Sequence, residues 1–204
     1  MPTNNQILLS EIVTRNFADN PQYSTEDSYF EFFSAQQVLK KYDLSDEEIE
    51  QHLTGSGSDG GCDGIFFFAD GELIHEDDDD TKFKQDVKLT LCIIQAKNTY
   101  SFKEQVFDKW KTVSANLLSL EKSCDEYKDR YTEAVRQAFA FFKDTYIHLI
   151  HKRAKLQIEY KYVSKGADIH QNVYAQADEL KALVKGMFPN PSVTVDVSFI
   201  GAHQ

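Results

Sequence analysis

The sequence predicts an α/β fold of the α+β type, a mixed sheet with helices on both faces, and three observations predict it. Strand-like alternation at Leu156–Val163 and Val193–Ile200 is interleaved with helical spacing at 169–187, and strands alternating with helices imply a mixed sheet. Two short apolar runs, Ile65–Ala69 and Glu72–His75, flank Asp70-Gly71, the dipeptide that most favours a tight hairpin turn. Val87–Lys97 carries the apolar run Leu91-Cys-Ile-Ile94 just before its polar end, the mark of a further strand.

Taken in order, residues 4–18 carry Ile7, Leu8, Ile12 and Phe17 at helical spacing, and Asn20-Pro21 breaks the pattern. A second helix begins near Thr25 or Asp27, with Tyr29, Phe32, Phe33, Val38 and Leu39 on a broad apolar face and Glu31 at its boundary. Ser45 and Glu48 form a capping box for a short helix reaching Leu53. The hairpin follows, and Val87–Lys97 is read as the third strand of a meander. Phe102, Val106, Trp110, Val113, Leu117 and Leu120 then set a helix over 101–121, and Tyr131 to Tyr146 set another over 127–151. The order is α-α-α-β-β-β-α-α-β-α-β. The reading is one domain over 1–204: N-terminal helices at 5–55, a core carrying the chemistry at 56–165, and a C-terminal helix and strand at 166–204. The chain stops directly after a strand, which fits a domain cut from a longer protein.

No apolar run approaches the ~18 residues of a membrane span, and the N-terminus has neither the basic nor the apolar region of a secretory signal. Cys62, Cys92 and Cys124 have no paired spacing, so a disulfide framework is not expected and a reducing, cytoplasmic setting fits. The net charge of -11 argues against a general polyanion binder, because nonspecific nucleic-acid affinity comes from basic surface. Much of the acid lies in Glu76–Asp80 and Ser45–Glu50, which read as solvated faces, while Lys143–Lys155 is a basic stretch. Its His148 and His151, three apart on a helix, lack a third ligand at matching spacing and read as surface or satisfied core histidines.

Candidate chemistry lies where polar residues interrupt apolar pattern. The turn Gly55-Ser-Gly-Ser-Asp-Gly-Gly-Cys-Asp-Gly64 carries Asp59 and Asp63, and the strand Leu91-Cys-Ile-Ile-Gln-Ala-Lys97 ends in Gln95 and Lys97. Alternation sends Gln95 and Lys97 to one face, about 7 Å apart along the strand. Hard divalent cations such as Mg²⁺ take oxygen donors, and Asp63, a helix carboxylate and the Gln95 amide oxygen form such a set. Asp59, a weaker ligand candidate, and Asp63 also suit a turn, since Asp and Gly make turns unaided. For Gln95 and Lys97 the alternative is a strand end emerging into solvent. Lys103, Lys109 and Lys111 are candidate phosphate contacts or an ordinary solvated face.

Glu31 in an early helix, Asp63 at the head of a hairpin and Gln95-Ala-Lys97 ending the third strand resemble the PD-(D/E)XK nuclease superfamily, in its Mrr-like form with Gln-x-Lys. Asp59-Gly-Gly-Cys-Asp-Gly-Ile65 followed by Ile93-Ile-Gln-Ala-Lys97 is also similar to the N-terminal region of abortive-infection phage-resistance (AIPR) proteins. The resemblance spans about residues 5–200. It implies a restriction-endonuclease-like αβββαβ core that hydrolyses DNA phosphodiesters with Mg²⁺, for which Mn²⁺ substitutes, in phage defence or restriction. Asp63 and Gln95 would be metal ligands, Lys97 the catalytic lysine and Glu31 a supporting acid. The Pro of the superfamily name is absent, and Gln95 replaces its acidic strand residue. The alternatives are a non-catalytic interaction or nucleic-acid-binding module on the same fold, and a phosphoesterase for a small nucleotide. A solitary active site cuts one strand, so double-strand cleavage would point to a homodimer, and further domains of a longer chain would supply the basic surface this segment lacks.

Overall fold

The computed structural model describes residues 1–55 and 57–203, apart from the side chain of residue 80; Ser56 of the glycine-rich turn and the last side chain of the Glu76–Asp80 run thus lie outside the described residues. Three helices come first: α1 (Asn4–Ala18), α2 (Glu26–Leu39) and α3 (Asp46–Gln51). Each starts at a capping box in which a hydroxyl and the third helical side chain satisfy otherwise unpaired N–H groups, with Thr3, Thr25 and Ser45 as caps. The strands β1 (Gly64–Ala69), β2 (Glu72–Leu73) and β3 (Lys88–Lys97) follow, then α4 (Gln105–Leu117), α5 (Glu133–His148), β4 (Lys155–Ser164), α6 (Gln171–Met187) and β5 (Val193–Ile200).

The five strands form one mixed sheet in the order β2-β1-β3-β4-β5. β1 is antiparallel to both β2 and β3, while β3–β4 and β4–β5 are parallel. The meander is therefore corrected: β3 pairs with β1 rather than with β2. The physical reason lies in burial. β1 is buried at every position and needs a neighbour on each side, whereas β2 has only Glu72 and Leu73 in register and serves as an edge. Several boundaries shrink, β2 from Glu72–His75 to Glu72–Leu73 and α3 to an end at Gln51 among them. Helix 101–121 becomes α4, and helix 127–151 becomes α5, because 3₁₀ turns at Cys124–Tyr127 and Leu149–Lys152 close its flanks and Thr132 caps its start.

Helices cover both faces. Leu89, Leu91 and Ile93 of β3 pack with Phe107, Trp110, Phe139, Phe142, Leu180 and Val184 from α4, α5 and α6. Cys92, Ile94 and Ala96, of opposite parity, pack with Val13, Phe30, Phe32 and Leu39 from α1 and α2. Among the described residues no helix is long and apolar enough to cross a membrane. Because β1 runs against β3 while β4 runs with it, the start of β1 and the ends of β3 and β4 share one end of the sheet.

Candidate metal centre at the end of the central strand

At that end the antiparallel register pairs Gly64 with Ile94, and one more step sets Asp63 opposite Gln95. The Asp63 N–H still donates to the Ile94 carbonyl (2.8 Å), but the next rung changes partner: the Ala96 N–H donates to Asp63 Oδ2 at 2.7 Å. Gln95 Nε2 donates to the same carboxylate oxygen. Asp63 is 2% exposed and Gln95 0%, so both belong to the interior rather than to a strand end in solvent. Gln95 Oε1, the other half of that amide, is buried with no hydrogen-bond partner among the described residues. Buried amide oxygens are nearly always paired, and Asn98 Oδ1, three residues on, is a second exception.

The remaining members come from the opposite layer and from the strand tip. Glu31 projects from α2 onto the glycine-rich turn, where a Cβ on Gly55 would fall 2.3 Å from Glu31 Oε2; any side chain at 55 would displace the carboxylate. Burial first, then the Asp63 charge, push the Glu31 carboxyl up to about 8, with Lys97 opposing. Burial raises Asp63 to about 6, against the pull of Lys97, the Ala96 N–H and the Gln95 amide. Neither the Glu31 nor the Lys97 side chain makes a hydrogen bond or ion pair among the described residues, although the Lys97 charge is felt by both carboxyls. Asp59 takes the turn role: its Oδ1 accepts from the Gly61 N–H at 2.7 Å, while its charge adds to the upward pressure on both carboxyls.

Trp110 and Thr54 pin the turn itself through three hydrogen bonds. Trp110 Nε1, fully buried, donates to the Gly61 carbonyl at 2.6 Å; the Thr54 hydroxyl donates to the Cys62 carbonyl; and the Thr54 N–H donates to the Asp63 carbonyl at 2.8 Å. Gly61 adopts φ +81, and a Cβ there would lie 3.1 Å from both Gln95 Oε1 and Lys109 Cβ, so a side chain would crowd the unpaired oxygen. Trp110, read from the sequence as core, is thus also a positioning residue. Thr54 gave no signal in the sequence. Nor was Asn98 singled out: its Nδ2 donates to Glu26 Oε1 (3.1 Å) and Asp27 Oδ1 (3.0 Å), tying the first turn of α2 to the end of β3. Trp110→Phe keeps most of the apolar area and removes the donor to Gly61, so it is expected to cost about 1–3 kcal/mol in urea unfolding.

The lysines of α4 separate. Lys109 is exposed beside Gly61 and flanks the site, and Lys103 is exposed ahead of α4 with its backbone N–H on Tyr162 Oη. Lys111 is committed elsewhere, 2.9 Å from Glu179 Oε2 and 2.6 Å from Gln176 Oε1, fastening α4 to α6. His148 and His151 stand exposed on the far part of α5 and the turn after it.

Two carboxylates and an amide oxygen suit a hard cation better than a soft one. Among the described residues no three His, Cys, Asp or Glu groups gather as a metal-holding cluster. Both raised carboxyls bear on stability in the absence of a cation. A folded-state pKa above the ordinary value gives stability that is fully present below the ordinary carboxylate range and is lost as pH rises through about 6 for Asp63 and about 8 for Glu31. The melting temperature in chelator is expected to fall across that interval, and Glu31→Gln to reduce the fall. Equal slopes for wild type and variant would show that the Glu31 charge is not strained.

No family model matches the chain, and no curated protein or solved structure matches it significantly.

Proposed function

We propose that this chain is a divalent-cation-dependent phosphodiesterase of the PD-(D/E)XK type that hydrolyses DNA, with Asp63, Gln95 and Glu31 as cation donors and Lys97 as the catalytic lysine. One observation carries the reading: a wholly buried Gln95 amide oxygen with no partner among the described residues, on the residue that bonds Asp63 and two residues before Lys97, whose charge acts on the Asp63 carboxyl. A cation of the Mg²⁺ class bound there would supply Lewis-acid polarisation of a phosphoryl oxygen and lower the pKa of a water. The chain's own residues do the rest. Asp63 holds its carboxylate in place through the Ala96 N–H, Gln95 is oriented by its bond to Asp63, and Lys97 neutralises charge that develops on the phosphoryl oxygens. Lys109 and Lys103 offer exposed cations for flanking phosphates. A role against foreign DNA rests on the resemblance to phage-resistance proteins alone.

A second reading, a nuclease-like fold kept as a non-catalytic binding module, is favoured by the net charge of -11 and by the loss of Lys111 to α6. Supercoiled plasmid incubated with Mg²⁺ or Mn²⁺ at low salt separates the two. Cutting by wild type that disappears in Asp63→Ala and Lys97→Ala supports the enzyme. Cutting that survives in both sinks the site assignment, and no cutting combined with no calorimetric cation binding favours the module.

A further inference from the structure

α1 and α2 cover one face of the sheet. A cavity of about 620 Å³ lies there between α2 and the β4–β5 edge, a volume within the range of small-molecule sites. Phe30, Phe33 and Val163 give it apolar walls. None of Glu31, Asp63, Gln95 or Lys97 lines it, so it is separate from the candidate metal centre.

Two properties of the lining point to a ligand and to its charge. Ser34 is 1% exposed, yet its hydroxyl has no hydrogen-bond partner among the described residues, although a helical serine can ordinarily bond the carbonyl one turn earlier. A buried hydroxyl on the wall of a cavity is an orienting group for whatever enters. Every ionisable side chain in the lining is cationic, Lys40 and Lys161, in a chain whose net charge is -11. Lys161 Nζ lies 3.1 Å from Glu159 Oε2 and 3.3 Å from Ser198 Oγ, so part of its charge is answered within the sheet. Lys40 is exposed and makes no ion pair among the described residues.

We propose that this cavity binds a small amphipathic anion, its apolar or aromatic body against Phe30, Phe33 and Val163, its carboxylate, sulfonate or phosphate head facing Lys40 and Lys161, and a polar atom against Ser34. Size and charge decide between occupants. A cation meets no carboxylate in the lining, and a purely apolar ligand leaves both lysines and the serine without a role. The site is independent of the catalytic reading and stands or fails apart from it.

The test is a fluorescence titration of the folded chain with 8-anilinonaphthalene-1-sulfonate, followed by competition with decanoate and with uncharged decanol. The expected result is one saturable site from which decanoate, but not decanol, displaces the dye. Lys40→Glu should weaken binding about tenfold, while the same charge change at exposed Lys128 and the variant Asp63→Ala should leave it unchanged. Ser34→Ala, which keeps the helix and removes the hydroxyl, should also weaken it. Circular dichroism must match wild type in each variant. Absence of saturable binding, equal weakening by Lys40→Glu and Lys128→Glu, equal displacement by decanol, or loss of binding in Asp63→Ala would each overturn the proposal.

Discussion

Asp63→Asn is expected to abolish divalent-cation binding and reduce DNA cleavage by about a thousandfold or more, the scale on which a preorganised charged group acts in a closed site, while the protein stays folded. The two outcomes separate because the native carboxylate is costly where it sits. Burial holds Asp63 up to about 6, so at pH 8 the folded chain carries a charge that its surroundings resist. Asparagine fills the same space, and its oxygen can still accept from the Ala96 N–H. Urea unfolding in chelator at pH 8 should therefore give equal or higher stability for the variant, beside a lost calorimetric signal for Mg²⁺ and lost plasmid cutting. A variant that unfolds would make Asp63 a structural residue, and one that still cuts would remove it from the site.

Lys97→Ala should lower the cleavage rate by about 10²–10⁴-fold, the range for a positioned proton-transfer or charge-stabilising side chain, and leave cation binding measurable. The distinction follows from what Lys97 touches. It makes no ion pair among the described residues, but its charge is the principal influence lowering the Asp63 carboxyl and also lowers that of Glu31. Removing it should push both carboxyls further up, so the pH at which Mg²⁺ binds should move upward in the variant. Calorimetry at several pH values reads this directly. An unchanged pH profile would mean that Lys97 acts outside the field of the two acids, and an unchanged rate would end its catalytic assignment.

Much of the fold was legible locally. The capping residues Thr25 and Ser45, the Asp70-Gly71 turn and the alternation in β4 and β5 are decided by neighbours a few residues away, and the structure places each element where local pattern predicts it. Helix ends drifted inward at α4 and α5 because apolar spacing continues past the last helical hydrogen bond; Leu120 keeps the period yet is exposed beyond α4. Strand order was not legible. Whether β3 joins β2 or β1 depends on which pairing buries the Phe66–Phe68 strand on both edges, a comparison between distant segments that no window along the chain contains.

The site divides along the same line. Residue types and their order, Asp63 before Gln95 and Lys97, came from the chain alone, because alternation on one strand fixes that Gln95 and Lys97 share a face. Sequence could not tell an interior Gln95 from one in solvent, nor that Asp59 would spend its carboxylate on Gly61 and Lys111 its ammonium on Glu179. Nor could it show Trp110 and Thr54 holding the turn, or Glu31 arriving from the opposite helical layer against Gly55. Periodicity reports which way a side chain leaves its own backbone, whereas burial, hydrogen-bond partners and raised carboxyls come from segments that meet only after the sheet has closed over both layers.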